Sequence, residues 1–301
     1  MDINKNLVSV VIPTYNSEKY IYECLKSVLN QTYQNFEIII IDNNSTDKTL
    51  EIIKRFNSKK ISIFLTNNKG NISISRNIGI KNSKGSWISF LDSDDLWFPT
   101  KLEKLLDKME LYDFISHSML IYKNKKIKKK FFFNNHTFSK RYKLIENLVK
   151  SGSFIFNSSV LVKKSLLIEI GYISEKQTSY TNDLYTWLKI SLLTEKYYFE
   201  SEDLGIYNQH LENYSSNSKA SSEYLKCVAI FKKNFCYKIK KNILGYFYFI
   251  KAKENLIKKK FLKSIKYLCK SFFIATNEIK FKCLVFSAII LFNYLKWKVK
   301  K

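Results

Sequence analysis

Apolar residues come in two rhythms along this chain. Over the first hundred positions, short and nearly unbroken apolar runs alternate with stretches whose apolar residues recur every three or four places. The runs are "VSVVI" (8–12), "EIIII" (37–41), "ISIFL" (61–65) and "WISFL" (87–91). Their length and β-branched content predict strands; the near-continuous "VSVVI" is the kind covered on both faces, and "EIIII" reads as a second buried strand. Behind Ser17, a residue placed to cap a helix, Ile21, Leu25, Val28 and Leu29 share one helical face. "STDKTLEIIKRF" predicts a second helix, with Ser45, Thr46 and Asp47 as capping candidates. Glycines 70, 79 and 85 punctuate the segment between the third and fourth runs. Strand–helix alternation of this kind builds a parallel sheet with right-handed crossovers, whose ligands bind beyond the carboxyl ends of the strands.

The residues just past three of these strand ends are polar: "PTYN" (13–16), "DNNSTD" (42–47) and "DSDD" (92–95). One polar loop is ordinary; three that converge on one sheet edge, two of them acidic, mark a site. In "WISFLDSDDLW" (87–97) a buried strand runs straight into Asp92, Asp94 and Asp95. Clustered carboxylates repel, and they persist cheaply when solvated or when a cation sits among them. An acidic helix start before "DLWFPTKLEKLL", with Asp95 as the cap, accounts for Asp95 but not for Asp92.

Further along, the pattern changes twice. "YKNKKIKKKFFFNNHTFSKRYK" (122–143) is basic with interleaved aromatics, and fits either a solvated hairpin or a loop facing a membrane or acceptor. Residues 151–215 return to mixed α/β character, and after Ser222 the chain reads as helices to its end. There Ile257, Phe261, Ile265, Leu268 and Phe272 step by three or four, with Lys258, Lys259, Lys263, Lys266 and Lys270 between them. A basic amphipathic helix of this kind either lies on anionic lipid or packs on a core, the core being the safer reading for this helix alone. The longest apolar run, "CLVFSAIILFNYL" (283–295), is shorter than the roughly 20 residues a membrane crossing takes, but it can dip into the interface.

Composition then narrows the classes. At 301 residues, with 46% apolar residues and two prolines, the chain is a globular protein with a real core. The net charge of +25 invites a nucleic-acid reading, yet only Arg55, Arg76 and Arg141 are arginines. Readers of base edges and phosphates favour the arginine fork, so the lysine excess is read as A+T-rich coding bias plus attraction to an anionic membrane surface, with nucleic acid excluded as the main partner. Five scattered cysteines, never spaced CxxC, predict reduced thiols. No basic n-region and apolar core open the sequence, which with the thiols predicts a cytoplasmic protein.

"VSVVIPTYNSEKYIYECLKSVLNQTYQNFEIIIIDNNSTDKT" and "GNISISRNIGIKNSKGSWISFLDSDD" resemble, in several motifs and in the right order, the family-2 glycosyltransferases of the GT-A fold. The likeness is dense over residues 7–110 and fainter over 153–217. It implies a Rossmann-like α/β domain over 1–220, with a mostly parallel central sheet flanked by helices, a nucleotide-binding half (1–110) and an acceptor half (111–220). The remaining 221–301 form a basic helical region whose helices are candidates for membrane association and for pairing between copies.

The resemblance also implies an inverting, metal-dependent bacterial enzyme that moves a hexosyl or N-acetylhexosaminyl group from a nucleotide diphosphate donor, typically UDP-linked. The acceptor is a lipid-linked or cell-surface glycan, as in polysaccharide, lipopolysaccharide or capsule synthesis. Such an enzyme works peripherally at the cytoplasmic face of the inner membrane. By the same resemblance Pro13, Thr14, Tyr15 and Asn16 line the nucleoside pocket, Asp42 accepts from the base, and Arg76 and Asn77 lie near the diphosphate or sugar, with Gly70 and Gly79 allowing tight backbone turns. Asp92 and Asp94 match the DxD that holds Mn²⁺ or Mg²⁺: Asp94 as direct ligand, Asp92 at the ribose or a metal-bound water, Ser93 beside the nucleotide and His210 near the metal or diphosphate. Asp183 in "TNDLYTWLKI" matches the base, with Glu175 and Asp203 as alternatives if the alignment slips. Asn43 and Asn182 stand where the family often has acids. These departures motivate the competing reading, a non-catalytic nucleotide-sugar-binding or scaffold relative of the same fold. His117 and His136 have no motif around them.

Overall fold

The computed structural model describes residues 6–123, 126–129, 136–138, 144–145, 148, 155–178, 181–210, 220–231, 233, 237–274 and 277–299. They fall into two compact units, Met1–Ile145 with Ser153–Asn217, and Glu146–Gly152 with Ser218–Lys301.

The first unit is built on a ten-stranded mixed sheet. Strands β1 (Val8–Thr14), β2 (Phe36–Asp42), β3 (Ile61–Leu65) and β4 (Trp87–Phe90) follow the four predicted runs. They pair in parallel in the order β3-β2-β1-β4, with β1 buried along its whole length. Helices α1 (Ile21–Leu29), α2 (Thr49–Arg55) and α3 (Ile72–Asn82) alternate with them. On α1 the buried residues Ile21, Cys24, Leu25 and Val28 keep the i, i+3, i+4, i+7 spacing. Capping differs in part from the sequence expectation: Tyr20 and Lys48 occupy the N-cap positions without side-chain caps, while Asp47 Oδ1 accepts from the Thr49 N–H at 2.9 Å where α2 begins. Ser17 starts α1 instead through its carbonyl oxygen, which accepts from the Tyr20 and Ile21 N–H groups. Gly79 is not a turn residue. It lies within α3, where a Cβ would stand 2.4 Å from Val11 Cγ1, so its task is to let the helix lie flat on the sheet.

After β4 come β5 (Leu96–Trp97), α4 (Lys101–Leu106), β6 (Phe114–Lys123), β7 (Lys126–Lys129), β8 (His136–Phe138), β9 (Leu161–Lys163), α5 (Lys164–Glu169), α6 (Asn182–Leu193) and β10 (Tyr197–Gln209). A 3-10 turn, Asn157–Ser159, precedes β9. β9 runs antiparallel to β4, which brings that turn beside the carboxyl end of β4. β10 pairs in parallel with β6, its register shifting on both sides of Asp203 before it ends near the same edge. Of the basic segment 122–143, the described part forms strands: β7 folds back on β6 and β8 pairs with β10. The rest of that segment lies outside the described residues.

The second unit contains α7 (Ala220–Ile230), α8 (Tyr237–Ile257), α9 (Phe261–Ile274) and α10 (Asn277–Val299). Its core gathers Phe249, Ala252, Phe261, Leu268, Cys283 and Ile290. The helical stripe predicted through Ile257, Phe261, Ile265, Leu268 and Phe272 is broken by the α8–α9 turn. The buried face of α9 is Phe261, Ser264, Leu268 and Ser271, and Ile265 is exposed. Among the described residues no helix is long and apolar enough to cross a membrane.

Candidate active site

Three parallel strands end at one edge, and the loops beyond their carboxyl ends build the site. Thr14 ends β1 opposite Asp42 at the end of β2. Pro13 and Thr14 are buried, and the Thr14 hydroxyl has no hydrogen-bond partner among the described residues. Tyr15 and Asn16 project outward. Asn16 takes a left-handed backbone (φ 46°), which asparagine tolerates. Its side-chain oxygen accepts from Thr46 N at 2.9 Å and its N–H donates to Ser45 Oγ at 2.9 Å, tying the β1 and β2 loops together. Asp42 is fully buried and accepts from Ser45, N–H at 2.9 Å and hydroxyl at 2.5 Å. Asn43 Oδ1 accepts from Asn68 N at 2.9 Å, linking β2 to the loop after β3.

Helix α3 lays polar residues against this edge: Ser73, Ser75, Arg76 and Asn77 are all buried. Arg76 Nη2 donates to Asp92 Oδ1 at 2.7 Å and Nη1 to Asp183 Oδ1 at 3.0 Å. The guanidinium is 3% exposed, while the two carboxylates are 30% and 31% exposed. The cation therefore sits behind the pair, and each acid keeps an open side. Asn77 spends its amide on a neighbouring loop, donating to Ile173 O and Glu175 Oε1 and accepting from Ile173 N.

The loop after β4 holds the acidic cluster. The Asp92 N–H donates to Ser158 Oγ at 3.1 Å, and Ser93 Oγ lies 2.8 Å from Ser17 Oγ. Asp94 Oδ2 meets His210 Nε2 at 2.8 Å, and the imidazole stacks on Tyr20 with centroids 5.2 Å apart. Burial first, then the Asp92 charge, pushes the Asp94 carboxyl above the usual carboxylate range, against the pull of His210. Asp95 is buried and caps no helix. It accepts from Ser158 Oγ at 2.5 Å and Asn208 N at 2.9 Å, so it pins the loop to the 3-10 turn and to β10.

Asp183 opens α6. Burial raises its carboxyl pKa, Arg76 is the largest opposing influence, and Asp92 adds a smaller upward push. Asn182, beside it, is buried: Nδ2 donates to Ser73 Oγ at 3.1 Å and Oδ1 accepts from Asp183 N at 2.8 Å. The alternative acids are otherwise engaged, Glu175 with Asn77 and Asp203 with Ser118 Oγ at 2.6 Å. Buried Asn157 lies on the same side as Asp183 and opposes the rise in its pKa, although the Asn157 Nδ2 has no hydrogen-bond partner among the described residues. Sequence reasoning missed Asn157, Ser158 and Tyr20; the one signal was the polar run "NSS" between apolar neighbours, which a buried segment must satisfy.

Among the described residues, no three His, Cys, Asp or Glu side chains form a ready metal cage. The donor set nonetheless suits Mn²⁺ or Mg²⁺ bound together with a diphosphate. Two carboxylates offer hard oxygen ligands and His210 a borderline nitrogen, the Asp94 carboxyl is largely buried beside another acid, and such ions take one or two protein carboxylates plus phosphate oxygens.

Comparison with known proteins gives a family and a fold. The sequence profile of glycosyl transferase family 2 matches residues 9–171. The glycosyltransferase GlyG of Streptococcus pneumoniae is 30% identical over 216 residues, covering 67% of this chain and 71% of its own. An uncharacterized glycosyltransferase of Haemophilus influenzae is 43% identical over 109 residues, 36% of this chain and 44% of its own. WfaP of Escherichia coli, a UDP-Glc:alpha-D-GlcNAc-diphosphoundecaprenol beta-1,3-glucosyltransferase, is 42% identical over 104 residues, 35% of this chain and 41% of its own. This chain thus spans less than half the length of the latter two relatives. S. aureus TarS 1-349 in complex with UDP-GlcNAc superposes with a TM-score of 0.66 at 19% identity, over 91% of this chain and 82% of that one. The mannosyltransferase PcManGT of Pyrobaculum calidifontis, in complex with GDP-Man and Mn²⁺, gives a TM-score of 0.58 at 14% identity, over 97% and 83%. These likenesses show a GT-A fold followed by a helical C-terminal region.

Proposed function

The chain belongs to glycosyl transferase family 2, and from that premise we propose that it moves one sugar, with inversion, from a UDP-linked donor to a hydroxyl of a lipid-linked or cell-surface glycan. The observation that carries this reading is the Arg76 bridge, which ties Asp92 at the end of β4 to Asp183 at the start of α6. An in-line displacement needs a leaving-group site and a base held at fixed separation, and one rigid guanidinium fork does that.

In this reading Asp183 takes the acceptor's hydroxyl proton as the oxygen bonds to the anomeric carbon. The bond from that carbon to the donor's phosphate oxygen breaks, and UDP leaves with the electron pair. Desolvation makes the Asp183 carboxylate more basic, while Arg76 keeps it oriented. Pro13, Thr14, Tyr15 and Asn16 would line the nucleoside, with Asp42 facing the base and Ser93 beside the nucleotide. Arg76 acts from behind the carboxylates, and Asn77 acts indirectly through the 173–175 loop. Asp94, Asp92 and His210 would hold Mn²⁺ or Mg²⁺, which when bound neutralises charge growing on the leaving diphosphate. In this reading a lipid-linked acceptor met by a nucleotide-sugar donor would put the reaction at the cytoplasmic face of a bacterial membrane, with the protein bound peripherally.

The test is a thermal-shift panel of nucleotide sugars with and without Mn²⁺, on wild type and Asp94→Asn. The expected result is a metal-dependent rise in Tm for a UDP-sugar that the variant loses. A well-folded wild type that responds to no donor contradicts the reading.

A further inference from the structure

Helix α9 buries two serines beside Phe261 and Leu268, and leaves three large apolar residues outside. Ser264 and Ser271 are fully buried, their hydroxyls donating to the carbonyl oxygens of Ala252 and Gly245 on α8, each at 2.7 Å. Satisfied in this way, serine lets two helices approach closely at little cost. Leu262, by contrast, is 84% exposed, Phe273 78% and Ile265 45%. At 3.6 residues per turn Leu262, Ile265, Cys269 and Phe273 fall within a stripe of about 80°. Exposed Lys263, Lys266 and Lys270 form a second stripe beside it, and exposed Lys258, Lys259 and Lys260 lead into it. Helix α10 likewise leaves apolar residues outside, with Cys283 and Ile290 buried and Phe281, Leu284 and Leu291 exposed.

Charge names the occupant of this face. Residues 218–301 contain 21 lysines, three glutamates, no aspartate and no arginine, so this stretch carries +18 of the chain's +25. A second copy would bring the same lysine excess against itself, which charge repulsion opposes. An anionic bilayer complements both stripes: apolar side chains enter the headgroup–acyl boundary while lysines snorkel to the phosphates. The absence, among the described residues, of a helix long and apolar enough to cross fits a helix lying in the interface plane.

We propose that the outer face of α9 is a docking surface for an anionic membrane, with Leu262, Ile265 and Phe273 inserted and Lys263, Lys266 and Lys270 at headgroup level. The proposal deepens the reading of a lipid-linked acceptor and rests on it for its purpose, but its observations are separate. The test is co-sedimentation of the full chain with phosphatidylcholine vesicles lacking or carrying about 30% phosphatidylglycerol. Wild type should bind only the anionic vesicles and release in high salt. Leu262→Ser with Phe273→Ser, and separately Lys263→Gln with Lys266→Gln and Lys270→Gln, should each weaken binding at least about tenfold. These positions are exposed, and unchanged circular dichroism would verify folding. No binding of wild type at low salt, or binding indifferent to both variants, overturns the proposal. So does a dimer that the Leu262/Phe273 variant dissolves while no vesicle is bound. The metal-dependent donor shift should survive in both variants. Its absence from wild type that still binds vesicles counts against the proposed reaction and leaves the docking surface standing.

Discussion

Arg76 is where the two halves of the proposed chemistry meet, so its replacement should be felt twice. Arg76→Met removes the guanidinium that bridges Asp92 and Asp183 and leaves two carboxylates facing each other. Losing one partner of a fully buried pair costs about 3–5 kcal/mol, and the carboxylates' open sides reduce this to about 2–3 kcal/mol. Arg76→Lys restores charge but cannot span both acids, so stability should partly return while kcat stays low; recovery of both in Arg76→Lys would show that charge alone suffices. Denaturation and turnover of the two variants decide the point. Asn43 and Asn182, the departures that raised a non-catalytic reading, both have structural partners: Asn43 holds Asn68, and Asn182 holds Ser73 and the Asp183 N–H. Neither displaces the acid beside it. Asp92, Asp94, Asp183 and Arg76 could be singled out as candidates because each sits in a short motif, and the structure brings Arg76, Asp92 and Asp183 together. Ser158 was not, because its partner Asp95 lies 63 residues away and only the antiparallel β4–β9 pairing brings them together.

At the level of elements, α4 shows how tertiary pairing overrides a local pattern. The segment "DLWFPTKLEKLL" reads as one helix from Asp95, yet Leu96–Trp97 pair with Ile206 and Gly205 of β10 and the helix starts only at Lys101. Lys101 then points into the core. It is fully buried, its Nζ donates to Ser89 Oγ at 2.8 Å and lies over the Trp97 ring, and burial pushes its pKa well down. The neighbouring His117 is pushed down as well, by burial first and by Lys101 second. A lysine with a depressed folded pKa binds fewer protons folded than unfolded, so folding becomes more favourable as pH rises toward the ordinary value of 10.5. Wild type should therefore gain stability relative to Lys101→Met as pH climbs from neutral to that value. Parallel Tm–pH curves for the two proteins would refute this.

Across the whole molecule, β1, β2 and β4 were legible because parallel buried strands announce themselves as apolar runs, and β3, a half-exposed edge strand, was legible from its apolar run alone. The second half of the sheet was not, since β6, β9 and β10 pair across long sequence gaps, and a β-rich segment does not state its partners. The lysine bias blurred the helical end in the same way. Periodicity alone mixed the core-facing Phe261 and Leu268 with the exposed Ile265, and only packing separates a buried stripe from an outward one. What joins these levels is a sheet edge where the loops after β1 and β2, an acidic cluster and one acid on α6 gather near Arg76. The most direct test of that convergence is acceptor-dependent UDP release, measured on wild type and Asp183→Asn with donor binding followed in parallel. Loss of a general base should slow release about a hundred- to ten-thousandfold while the donor-induced Tm shift persists. Undiminished release in Asp183→Asn would contradict its role as the base.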